Sequence, residues 1–267
     1  MNSTLSAGGS QGMGRLLRRV TGAVVLLCAW EYFARSGMYS PAITPPLAAI
    51  LQSLGASLAD GSLARHTGAT LLRVFVGMGI ATAVAVPMAV LMGRYPGWEN
   101  LLRAPLNVLL PIPSLAWVPL VVLWFGIGNT ATVAVVVYAA LFPLLFNVWM
   151  GVRAVNPLWL RAATVMNAGP VALLVKVVMP GTLPYLITGL RLSFGRAWIA
   201  VIGGELLASP EWGLGKVIFD AKEFLNASVM LAALLLIGIL GVLFERFVFQ
   251  RLEAATIERW GMGARRE

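Results

Sequence analysis

The chain has 267 residues, 59% of them apolar and only 12% charged, with a mean hydropathy of +0.83. A soluble domain of this size carries about a quarter charged residues, so the composition excludes one and indicates a membrane-embedded domain. The formal net charge of +9 does not indicate nucleic acid, because the basic residues cluster at the ends of apolar runs, and the single Cys28 and single His66 exclude disulfide frameworks and multi-histidine metal sites.

Residues 1–14 are rich in Ser and Gly without an apolar period, which predicts a disordered tail ahead of one domain, residues 15–267. Arg15, Arg18 and Arg19 then precede an apolar run, so a first span is expected over about Leu16 to Tyr39, with Glu31 and Arg35 paired one turn apart. Between Pro41 and His66 the chain is too polar to span. Leu47, Ile50, Leu51, Leu54 and Leu58 form one face of an amphipathic helix, ended by Asp60-Gly61, lying on the outer surface or packed on the other spans.

A second span, about Thr67 to Arg94, places Gly77, Ala81, Ala85, Ala89 and Gly93 on one face, where small residues admit close helix approach, and Pro87 suggests a kink. After a loop at Tyr95 to Asn100 comes a third span from about Leu101, interrupted by Pro111, Pro113 and Pro119. Broken helices at membrane depth face protein or a water-filled cavity. Pro111, Pro113, Ser114 and Trp117 are therefore candidate linings of a translocation path, the alternative being a kinked packing helix. A fourth span runs from Thr130 to Gly151.

Between Asn156 and Pro184 two short helical periods flank Asn167-Ala168-Gly169-Pro170. Asn and Gly tolerate a left-handed backbone and a proline opens a following helix, which predicts helix, turn, helix. Pro180 and Pro184 are expected to stop the second short helix. A fifth span, about Leu183 to Leu207, carries Arg191, Arg196 and Glu205. Charges in hydrocarbon usually face a cavity or each other. Thr188, Arg191, Gly195 and Trp198 share one helical face; Arg191 can snorkel to the inner surface, whereas Arg196 lies deeper, and Glu205 can pair with an arginine or meet a delivery protein. All of Thr188, Arg191, Arg196 and Glu205 join the candidate path. An outer loop, Ala208 to Asn226, precedes a sixth span, Ala227 to Phe249.

Basic residues set the orientation. With the N-terminus inside, Arg15, Arg18, Arg19, Arg94, Arg103, Arg153, Arg161, Lys176 and the arginines after Glu245 are cytoplasmic. Only Arg35, Arg65, Arg73, Lys216 and Lys222 fall outside. Six spans put both termini and the turn at Asn167 in the cytoplasm. The expected fold is thus all-α: a polytopic membrane protein with six transmembrane helices, an outer amphipathic helix and a cytoplasmic helix-turn-helix.

The segment Ala162-Ala163, three residues, Asn167, nine residues, Val177-Val178-Met179-Pro180 is similar to the EAA loop of ABC importer permeases. That loop reads Glu-Ala-Ala, three residues, Gly, nine residues, an aliphatic, any residue, an apolar residue and Pro. Arg161 stands at the Glu position and Asn167 at the Gly position. Leu101 to Asn129 resembles the proline-rich third span, and Leu183 to Leu207 the fifth span, of the sulfonate, taurine and nitrate type of permease.

The resemblance implies a type I ABC importer fold in the bacterial inner membrane. It implies a second permease copy, two cytoplasmic ATPase subunits holding ATP and Mg, and a periplasmic or extracellular substrate-binding protein. The coupling loop, about 156–180, would then dock on the ATPase through Arg161, Ala162, Ala163, Asn167, Ala168, Gly169 and Pro180. The chain has no phosphate-cradling G-x-x-x-x-G-K-[ST], and its Ser193 lacks the first glycine of G-x-S-x-G, so catalysis is not expected of it. Arginines at depth favour a small anionic solute. The rival reading is a secondary transporter or channel that needs no ATPase, which would call for inverted repeats or midplane coupling-ion residues.

Overall fold

The computed structural model describes residues 7–208, 210–253 and 256. Every regular element among the described residues is helical. The helix α1 (Ala7–Arg35) begins inside the stretch expected as a disordered tail, of which residues 1–6 lie outside the described residues. Once the apolar run has nucleated a helix, each added residue gains a backbone bond, and the helix propagates back through Ser and Gly. It stops four residues short of Tyr39, where Gly37 takes φ +71°. Glu31 pairs with Arg35 Nε at 2.6 Å and also accepts the Leu47 N–H at 2.9 Å, tying α1 to the start of α2 (Leu47–Ala59). Asp60 caps α2 and Gly61 turns the chain at φ +75°. The helix lies against α11, defined below, with Ile50 buried while Leu51 and Leu58 stay exposed.

Helix α3 (Ser62–Arg94) starts earlier than Thr67 and runs unbroken through Pro87. Its small-residue face is buried against α6 (Asn129–Ala154). A Cβ on Gly77 would lie 2.5 Å from Val136 Cγ1, and one on Gly93 2.5 Å from Val152 Cγ1, so the two backbones approach as only glycine permits. Helix α6 is the centre of the molecule, packed most extensively on α3 and on α9 (Met179–Ala208).

Between α3 and α6 the third apolar run is not one helix. Helix α4 (Pro96–Leu109) opens at Pro96, inside the expected loop, because proline fits the first turn of a helix and Glu99 favours its positive end. A 3-10 turn, Ser114–Trp117, and α5 (Val118–Phe125) follow at 86° to α4. This is a re-aimed chain rather than a kink. The Tyr138 hydroxyl of α6 donates to the Leu109 carbonyl at 2.7 Å, satisfying a group that the break frees.

After α6 come α7 (Pro157–Val165), α8 (Pro170–Leu173) and a π-turn, Leu174–Val178, that leads straight into α9. Pro180 and Pro184 do not stop the chain: Pro170–Ala208 forms a single 39-residue apolar run of helix. The wide π-turn loosens the i to i−4 ladder where the ring of Pro180 would clash, so the helix continues through that proline, and Pro184 lies inside the regular helix that follows. The expected outer loop contains α10 (Leu214–Glu223), which buries Leu214, Ile218 and Ala221. The sixth apolar run is α11 (Ala227–Phe244), a π-turn Glu245–Phe249 and α12 (Gln250–Glu253). It packs on α9 through Phe194, Trp198, Phe244 and Phe249, with centroids of Phe194 and Phe249 5.1 Å apart.

Four helices among the described residues are long and apolar enough to cross a membrane, and five if the bent pair α4 and α5 counts as one. The first apolar run, α1, is not among them.

Candidate functional site: an exposed helical turn, a broken span and a buried ion pair

Helix α7 buries none of its residues. The Asn156 side chain caps it by accepting the Leu158 N–H at 2.9 Å, and Pro157 occupies its first turn. The chain then reverses at Asn167, whose φ of +59° is the left-handed value expected of that residue. Gly169 is extended, and Pro170 opens α8. Arg161, Ala162, Asn167 and Gly169 are exposed, with Ala163, Ala168 and Pro180 half-buried. Around them Leu158, Trp159, Val165, Met166 and Val171 are all more than half exposed, Val165 and Met166 by 86% and 82%. The turn is thus a bare apolar patch at the surface of the chain.

The helix-helix approach beside this turn is open. Asn156, Trp159, Tyr185 and Thr188 line a cleft of about 440 Å³ between the end of α6, α7 and α9. Thr188, which donates to the Pro184 carbonyl at 3.0 Å, stands on its rim.

At the bend of the third run, Pro111 and Pro113 are exposed and Ser114 and Trp117 half-buried, so all four candidates lie at the surface of this chain or just beneath it. Trp117 packs 5.4 Å from the ring of Tyr138. The fifth-span candidates part company. Thr188, Gly195 and Arg196 are exposed, but Trp198 is 8% exposed and stacked on Phe194, so the face that was to hold Thr188, Arg191, Gly195 and Trp198 is divided between core and surface. Arg191 is clasped by two carboxylates, Glu245 and, at 2.8 Å, Glu253, both on the C-terminal helices. Arg196 has no ion-pair or hydrogen-bond partner among the described residues.

Glu205 does not line a path. It is wholly buried, and its carboxylate accepts from Arg73 Nη1 at 2.5 Å, from the Thr70 hydroxyl at 2.9 and 3.0 Å and from the Gly215 N–H at 2.9 Å. Arg73 spends its other donors on Asn129 Oδ1, at 2.8 and 2.6 Å. Thr70 in turn accepts the Leu214 N–H at 2.9 Å. The network joins α3, α6 and α9 to the first turn of α10. Arg73, expected in an outer segment, is buried in the chain at 5% exposure. Arg73, Thr70 and Asn129 were missed as partners; the usable signal was that two opposite charges, Arg73 and Glu205, each interrupt an apolar run and require one another.

Residues 81–254 match the family model described as binding-protein-dependent transport system inner membrane component. The chain is 34% identical to a putative ABC transporter permease of Methanocaldococcus jannaschii, over 86% of this chain and 88% of that one. It is 33% identical to the taurine transport system permease protein TauC of Escherichia coli, over 86% of each. To the bicarbonate transport system permease protein CmpB of Synechococcus elongatus it is 30% identical, over 94% of this chain and 91% of that one. In fold it is similar to a chain of the inward-facing MetNI methionine ABC transporter, with a TM-score of 0.61 and 24% identity over 73% of this chain and 96% of that one.

Proposed function

Because the chain belongs to the family of binding-protein-dependent transport system inner-membrane components, we propose that it is the permease subunit of an ATP-driven importer of a small anionic solute. It crosses the inner membrane six times, through α1, α3, the bent pair α4 and α5, α6, the run from α8 to α9, and the run from α11 to α12. Both termini and α7 are cytoplasmic, and α2 and α10 lie outside. Two copies of the chain enclose the path, and a substrate-binding protein delivers the solute to the outer face. Its relatives carry names for taurine and bicarbonate transport, so a sulfonate, taurine, nitrate or a related small acid is the proposed cargo.

The observation that carries this reading is α7, a helix with no buried residue and an apolar, solvent-facing turn. Ala162 and Ala163 leave room for close approach by a cytoplasmic ATPase, which holds the ATP and Mg; this chain needs no cofactor of its own. Arg161, Asn167, Ala168, Gly169 and Pro180 shape the turn and its exit. The π-turn and α9 then form a continuous rod from the turn into the membrane, so a push on α7 reaches the spans. ATP drives alternation because the ATPase contacts α7 differently in its two states. Pro111, Pro113, Ser114, Trp117 and Thr188 border the passage, whereas Arg191 and Glu205 hold the helices that shape it.

Purification with the ATPase tests the reading. Wild type is expected to retain the ATPase and to take up solute only with ATP, and Ala162→Glu with Ala163→Trp to lose the ATPase while staying folded. Uptake without ATP, or an undisturbed complex in the double variant, overturns it.

A further inference from the structure

The first turn of α10 is held by side chains of two other helices. The first N–H groups of a helix have no acceptor within it, and Gly213, which precedes α10, has no side chain to supply one. Three side chains from elsewhere supply them in succession. The Gly213 N–H donates to His66 Nδ1 at 3.0 Å, the Leu214 N–H to the Thr70 hydroxyl at 2.9 Å and the Gly215 N–H to the Glu205 carboxylate at 2.9 Å. His66, Thr70 and Arg73, spaced by four and three residues, share one face of α3, and Glu205 belongs to the last turn of α9. Just ahead of them the Trp212 ring packs on His66, with centroids 5.1 Å apart, and Arg65 Cζ lies 5.8 Å from it.

Glycine is what the fit requires. A Cβ on Gly213 would stand 2.5 Å from Glu205 Cδ, and one on Gly215 2.5 Å from the Ile202 carbonyl oxygen of α9. The base of α10 is thus pressed onto α9 with no side chain between them. Farther along, α10 buries Ile218 and Ala221 and also packs on α11, but no hydrogen bond joins α10 to α11 among the described residues. Hydrogen bonds weaken steeply with distance and angle, so three in succession fix both the position and the tilt of α10. Helix α9, which receives one of them, belongs to the single run from Pro170 to Ala208 that leaves the turn at Asn167. One rod therefore has the exposed turn at one end and the base of α10 at the other.

We propose that Glu205 is a positioning residue that, with Thr70, makes α10 a rigid arm of α9, so that motion imposed on the turn at Asn167 reappears at the outer face. Arg73 holds the Glu205 carboxylate where the Gly215 N–H meets it. By linkage, a partner that holds α10 in one pose biases the turn in return. The inference rests on the importer reading for the outer placement of α10 and for the alternation that moves α9.

Spin labels read that movement without reading uptake. In the complete transporter in liposomes, with Cys28→Ser, distances between labels on the two copies are measured for Leu207→Cys on α9 and separately for Lys222→Cys on α10, both exposed positions. Each is measured without nucleotide and with ATP and vanadate, and the two distances are expected to shift together. Arg73→Met with Glu205→Leu fills the site without charge but cannot accept the Gly215 N–H. There the Leu207 shift is expected to persist while the Lys222 shift falls short of it, and adding Thr70→Val is expected to abolish the Lys222 shift. Arg73→Met with Glu205→Gln, which restores an acceptor, is expected to bring the Lys222 shift back, a recovery that a role in packing alone does not give. Matched shifts in the chain with Met, Leu and Val, or no recovery with Gln, overturn the proposal. A Leu207 distance that nucleotide leaves unmoved in the otherwise native chain refutes the importer reading, and the proposal with it, so the two failures are told apart.

Discussion

Glu205 is a carboxylate sealed from water, and it stays there because four donor contacts converge on it, one from a guanidinium. Removing one member of such a pair leaves the other charge buried and alone, at a cost of about 3–5 kcal/mol. Glu205→Ala and Arg73→Ala are each expected to lower stability by that amount, measured as the thermal unfolding of the purified chain in detergent. Arg73→Met combined with Glu205→Leu is expected to recover most of the loss, since a paired apolar replacement leaves no orphan charge. Single variants as stable as wild type would show that the network carries no such weight. At this scale the sequence spoke selectively. The positive φ of Asn167 follows from residue type alone. The partnership of Glu205 with Arg73 joins helices 132 positions apart, which no local pattern encodes.

Helix α3 is the element whose packing was most legible, because a four-residue repeat of small side chains has only one use in a membrane. Gly77→Ala places a Cβ 2.5 Å from Val136 Cγ1 and is expected to destabilise by about 1–3 kcal/mol through overpacking. Gly79→Ala on the same helix meets nothing within 4 Å and is expected to be neutral or stabilising by up to about 1 kcal/mol. Thermal unfolding of the two variants side by side is the measurement, and equal effects would refute the close-approach account. The bend between α4 and α5 was legible as an interruption but not as an 86° turn. Prolines remove backbone donors and state where a helix can break, whereas the direction of the chain afterwards depends on Tyr138, which holds the freed Leu109 carbonyl. Pro180 and Pro184 teach the converse. Proline is a permission to stop that a π-turn can refuse.

For the whole molecule, the proposed topology puts α7 and α10 on opposite sides of the membrane. In a Cys28→Ser chain, Thr164→Cys on α7 and Lys222→Cys on α10 are both exposed positions. In intact cells an impermeant thiol reagent is expected to label Lys222→Cys and to reach Thr164→Cys only after the membrane is opened. Labelling of both from outside would refute the topology. Arg and Lys at the ends of apolar runs are what lead to this expectation, since charge bias acts as the chain inserts and precedes any packing.

Hydropathy, spacing and residue type by themselves determined that the chain is helical and membrane-embedded, where its apolar runs lie and where it reverses at Asn167. These are properties of short stretches, imposed by burial of apolar surface and by local backbone sterics. Only the tertiary structure decided which charges are spent and which are free. Glu205 and Arg191 are taken by partners far along the chain, because the field at a side chain is set by what folding brings beside it.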